Sequence, residues 1–205
     1  MLKEQFLGRC PSHFKINPLV KAYIISESFM WSAWNFIIPI FAVFVVQSVQ
    51  GGNVQMAAMG YSIYLLSRVI FELISGRYLL GTADRKKMTL VILGMACVSL
   101  SYLGFAIVRE MYLLFFYYFV AGMGLGICMP AKNSLFSMHL DKNKEATEWS
   151  IADAFQFSAM ALATTVGGFV AYHYGFQPLF LLAFLFNVLA IIPFFFLLQK
   201  KEYMA

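Results

Sequence analysis

The chain has 205 residues, of which 61% are hydrophobic and only 12% charged, with a formal net charge of +5. Soluble domains carry about a quarter charged residues, so the composition excludes an ordinary soluble domain, and the positive excess does not argue for nucleic acid as a partner. Cys10, Cys97 and Cys128 have no paired spacing, which leaves no disulfide framework, no zinc pattern and no cofactor implied.

The first 21 residues carry Lys3, Glu4, Arg9, Lys15 and Lys21 without an adjoining apolar core and cleavage site. They read as a cytoplasmic tail (1–21) rather than a cleaved signal. Six apolar segments follow, at about 22–48, 56–80, 88–108, 111–130, 150–172 and 178–198, and 199–205 form a second tail. Each is close to the roughly 20 residues needed to cross a bilayer. In hydrocarbon such segments must be helices, because unpaired amides find no water there. Ten-residue alternating segments, the mark of a membrane barrel, are missing. No Pro/Ser-rich linker divides the chain, so 22–198 reads as one all-α transmembrane domain.

Orientation follows from the positive residues. Of the 15 Lys and Arg residues, Arg68 lies within the second span and Arg109 alone lies between spans three and four. The others fall in the N-terminal tail, the turn after span two (Arg77, Arg85, Lys86, Lys87), the segment between spans four and five (Lys132, Lys142, Lys144) and the C-terminal tail. Positive residues stay inside. Both termini are therefore expected in the cytoplasm, with the protein multi-pass in the cell (cytoplasmic or inner) membrane. Spans one to three and four to six are expected to form a 3+3 inverted repeat, since an odd number of spans flips the second trio.

Ionisable groups in a bilayer are costly and mark function by default. Along the first span Glu27, Trp31, Trp34 and Asn35 share a stripe at spacings of three and four. The stripe reads either as a cavity wall around a proton-exchanging or substrate-binding carboxylate, or as a solvated interface near Lys21. Arg68 and Glu72, four apart in span two, are neighbours on one helical face. They read equally as a structural ion pair and as a gating or coupling element. Asp153 is expected to open span five, where the helix dipole favours negative charge, with substrate contact as the other reading. His13, His139 and His173 build no metal pattern, and no intramembrane protease motif is present, so an enzyme is not expected.

Between spans two and three stands SGRYLLGTADRKKM, residues 75–88. The turn LGTADRKKM resembles the second-to-third helix turn of the major facilitator superfamily, Gly-x-x-x-Asp-Arg-x-Gly-Arg-Arg. Ala83, Asp84, Arg85 and a following basic pair match; Gly81 stands one place closer to Asp84, and the later glycine is missing. FVAGMGLGICMPAKNSLF resembles that family's fourth helix, with Tyr118 where an arginine usually precedes the glycines. TTVGGFVAYHYGFQPLF resembles the end of its fifth helix, without the antiporter Gly-Pro.

The resemblance covers essentially the whole chain, against half of the usual twelve-helix transporter. It implies a half bundle that carries a small solute by alternating access, as a parallel homodimer or with a second six-helix half, with coupling to H+ left open. Asp84, Arg85 and Asp153 would then form the cytoplasmic gate. Asp84 is expected to approach residues 148–151 of a partner's fifth span, and Arg68 or Arg77 to reach the partner's fifth-span carboxylate. A non-transporting six-helix assembly protein, or one part of a split transporter, are the alternatives.

Overall fold

The computed structural model describes residues 17–200. Among these residues there are seven α-helical segments: α1 (Pro18–Ile37), α2 (Phe41–Ser48), α3 (Val54–Tyr78), α4 (Asp84–Ile107), α5 (Met111–Met138), α6 (Glu145–Tyr174) and α7 (Phe176–Leu198). A 3-10 turn, Ile38–Ile40, joins α1 to α2, so the seven segments make six helices long and apolar enough to cross a membrane.

Local chemistry sets the boundaries. Asn17 caps α1, its side chain accepting a hydrogen bond from the Leu19 amide at 2.9 Å, and Pro18 takes the first helical position, where its missing N–H costs nothing. Pro39 has no N–H for the carbonyl one turn back, and the helix tightens there into the 3-10 turn. Asn53 caps α3 by accepting from the Met56 amide at 2.9 Å. Gly175 alone separates α6 from α7, at φ +85°, a conformation that costs glycine nothing.

The helices α5 and α6 run furthest past the bounds expected from hydropathy. Pro130 was read as an end, yet α5 continues to Met138. The interior proline removes one donor without stopping the helix. The fifth span begins at Glu145 rather than near residue 150.

The bundle is built around α1 and α5. The long helix α5 packs on α3 and α4, α1 packs on α6 and α7, and α4 meets α7 between the two groups. Small residues let the backbones approach. A Cβ on Gly122 would run into the Tyr64 carbonyl and the Ser67 side chain of α3, and one on Gly126 would meet the Arg68 carbonyl. Gly94 of α4 and Gly124 of α5 face each other in the same way. In lipid, where apolar surface alone does not drive helices together, such close packing holds the bundle.

Candidate functional site

The deepest polar cluster joins α1 to α5. The Lys132 ammonium stands 2.6 Å from Glu27 Oε1, with the two side chains 0% and 2% exposed. Trp31 donates its indole N–H to Glu27 Oε2 at 2.6 Å. Lys132 also donates to Ser26 Oγ at 3.0 Å, and the Tyr23 and Phe194 rings each lie 5.8 Å from its ammonium. Tyr23 in turn donates through its hydroxyl to Asn133 Oδ1 at 3.2 Å.

Each partner answers a need of the others. An isolated charge costs several kcal/mol to bury, and only a close counter-charge with additional hydrogen bonds offsets that. Glu27 is the tenth residue of α1, about 14 Å along the helix from its start. The pair therefore lies well inside the membrane-spanning segment rather than at its mouth.

In this structure Glu27 is closed off from solvent rather than solvated near Lys21. It is buried because Lys132 is buried with it. Lys132, expected in the segment between spans four and five, does not lie in a loop. It belongs to α5. The signal for its placement was in the sequence, since Cys128, Ala131, Leu135 and Phe136 continue an apolar helical face past Pro130, and all four are buried.

The rest of the α1 stripe divides. Trp34 turns to α3, its ring 4.8 Å from Tyr64, while Asn35 donates to the Trp31 carbonyl of its own helix at 2.8 Å. On α3, Arg68 Nε meets Glu72 Oε2 at 3.3 Å, and Arg68 also donates to the Tyr64 hydroxyl at 3.3 Å. Tyr64 thus links the Arg68–Glu72 pair to Trp34. Trp31, Trp34, Asn35 and Arg68 are all half-buried.

At the other candidate site, Asp84 is the first residue of α4, where the helix dipole favours its charge. Its partners belong to its own chain: Lys87 Nζ at 3.3 Å and His139 Nε2 at 3.2 Å. His139 Nδ1 lies 2.9 Å from the Leu135 carbonyl. With Nδ1 donating to that carbonyl, Nε2 attracts the carboxylate only when it also carries a proton. Lys87 is buried, and Arg85 is exposed. Gly81 stands at φ +67°, so the turn itself requires its glycine at that place.

Asp153 does not open the fifth span. It is the ninth residue of α6 and exposed, and the first-turn acids are Glu145 and Glu148. Glu148 is buried and accepts from the Asp141 amide at 2.9 Å, which ties the loop after α5 to α6. The Asp84, Lys87, His139 and Glu148 contacts were not foreseen from sequence. No group of three or more His, Cys, Asp or Glu placed to hold a metal occurs among the described residues.

Six helices long and apolar enough to cross a membrane, enclosing a buried acid–base pair, define the class as a multi-pass helical membrane protein. The family model described as Major Facilitator Superfamily matches residues 23–204, and the chain belongs to that family. Members of this family are transporters. No curated protein matches the chain.

Proposed function

We propose that the chain is one six-helix half of a solute transporter, working as a parallel homodimer or with a second six-helix half, both termini cytoplasmic. The buried Glu27–Lys132 pair carries the reading. Protonation of Glu27 would cancel the charge that holds Lys132, freeing the ammonium for an anionic group of the solute. Departure of the solute and proton would let the pair close again. The half-buried Trp31 and Asn35 beside it would form the wall that the solute meets, and Arg68 with Glu72 a second charged element on the same side. H+ is thus the coupling ion of this reading.

The packing supports an inverted 3+3 repeat. Exchanging spans one, two and three with four, five and six turns the contact of α3 with α5 into that of α6 with α1. It turns α4 with α5 into α7 with α1, and α4 with α7 into itself; all of these contacts are made. Spans two and five, α3 and α6, are then equivalent and carry wide exposed apolar faces, with Leu66, Leu73 and Leu162 among them. Such faces suit lipid or a second half. Asp84 would serve the cytoplasmic gate through Lys87 and His139, with Arg85 exposed at the same turn and Asp153 on the exposed side of α6.

The test is solute-driven proton movement in proteoliposomes, comparing wild type with Glu27→Gln. Loss of coupling with solute binding retained is expected, and unchanged coupled flux removes Glu27 from the mechanism. For the dimer, cysteines at Asp84 and Ser150 should crosslink between copies in one state of the cycle. No crosslink in any state overturns that arrangement.

A further inference from the structure

The side of α1 turned away from Glu27 borders a long apolar groove. One section, about 380 Å³, lies among α1, α6 and α7 and is lined by Phe29, Phe36, Ala159, Ala163 and Phe186. The next, about 340 Å³, lies between α1 and α6 and is lined by Ile24, Ile25, Ile151, Phe155 and Lys21. The two share Ser28 and Phe29, so they adjoin each other along α1.

Its chemistry selects an occupant. The hydroxyls of Ser28 and Ser32 donate to the carbonyls of Ile24 and Ser28, which engages the one donor of each and leaves an almost wholly apolar wall. A polar solute gains nothing there. From Lys21 to Phe36 the groove runs about 22 Å at 1.5 Å per residue, somewhat longer than one leaflet of hydrocarbon at about 15 Å. At the end nearest the start of α1, exposed Lys21 is the one charged lining residue among the described residues. A lysine at such a place can lay its stem along the apolar wall and keep its ammonium at headgroup level. Asp153 lies two residues from both Ile151 and Phe155, about 200° around α6 from that wall.

We propose that the groove holds one acyl chain of an anionic phospholipid, with the headgroup phosphate at Lys21. The site is separate from the Glu27–Lys132 pair, and the proposal stands whether or not that pair couples transport.

Native mass spectrometry of the detergent-purified chain tests it, with phosphatidylglycerol and phosphatidylcholine of identical acyl chains as probes. One phosphatidylglycerol per chain should be retained in preference to phosphatidylcholine. Lys21→Ala should weaken phosphatidylglycerol retention about fivefold, the loss expected for one basic residue at an anionic surface, and leave phosphatidylcholine unchanged. Ala159→Phe, at a half-buried position, should displace the chain and lower retention of both lipids; an unchanged melting temperature confirms that this variant folds. Equal retention of the two lipids by wild type and both variants overturns the proposal. So does a disulfide between the Ala159→Cys positions of two copies in lipid, because a second copy would then occupy the groove.

Discussion

Glu27 of α1 and Lys132 of α5 meet at 2.6 Å with both side chains buried, and this contact ties the two helices around which the others are arranged. Removing either charge alone leaves the other unpaired. Lys132→Met should therefore destabilise the protein by about 3–5 kcal/mol, while Glu27→Gln combined with Lys132→Met should recover most of that loss. Unfolding titrations of the two single variants and the double variant in mixed micelles measure the coupling. Additive losses would show that the two charges are independently held.

Trp31 reads the state of the pair. Its indole donates to Glu27 at 2.6 Å, and a hydrogen bond to a charged acceptor is worth about 1.5–3 kcal/mol. Trp31→Phe should cost about that much stability in wild type and markedly less in the Glu27→Gln background. The same unfolding titrations give the answer, and an equal cost in both backgrounds would show that Trp31 acts through packing alone.

Helix contact depends on single glycines. Gly122→Val would drive a side chain into the Tyr64 carbonyl and the Ser67 side chain, whereas Gly168 faces open space. Gly122→Val should yield aggregated or degraded protein. Gly168→Ala should match wild type, with the small gain in helix propensity of about 1 kcal/mol. Size-exclusion profiles after extraction distinguish the two variants.

Asp84 holds the ends of α4 and α5 together through Lys87 and His139. Asp84→Asn should loosen this corner, leaving Lys87 buried without its counter-charge. Hydrogen exchange should accelerate at the C-terminal turn of α5 and the first turn of α4, with the remaining helices unchanged. Slow exchange throughout would place the corner's stability elsewhere.

Asn187 of α7 donates to the Met95 carbonyl and to Ser99 Oγ of α4, at 2.9 and 2.8 Å. Such interhelical bonds in membrane proteins contribute about 0.6 kcal/mol on average and up to about 1.7. Asn187→Leu should fall within that range in unfolding titrations, well below the loss from Lys132→Met. A larger loss would identify Asn187 as a second polar centre.

The six spans and the family turn were legible in the sequence because hydropathy and turn chemistry are properties of contiguous residues. Pro130 suggests an end to span four, and that expectation is in error. The apolar face on either side of it carries the helix through to Met138. That one error placed Lys132 in a loop and hid the partner of Glu27.

What the sequence by itself determined is that this chain is a bundle of membrane-crossing helices, with Glu27 among the charges such a bundle has to compensate. Only the tertiary structure decided how: Lys132 for Glu27, Tyr64 joining Trp34 to Arg68, and His139 beside Lys87 for Asp84. The reason is physical. Crossing a membrane depends on the summed apolarity of one segment, whereas neutralising a buried charge depends on which helices pack face to face. Part of that packing follows from where glycines let two backbones close, as Gly122 and Gly126 do between α5 and α3.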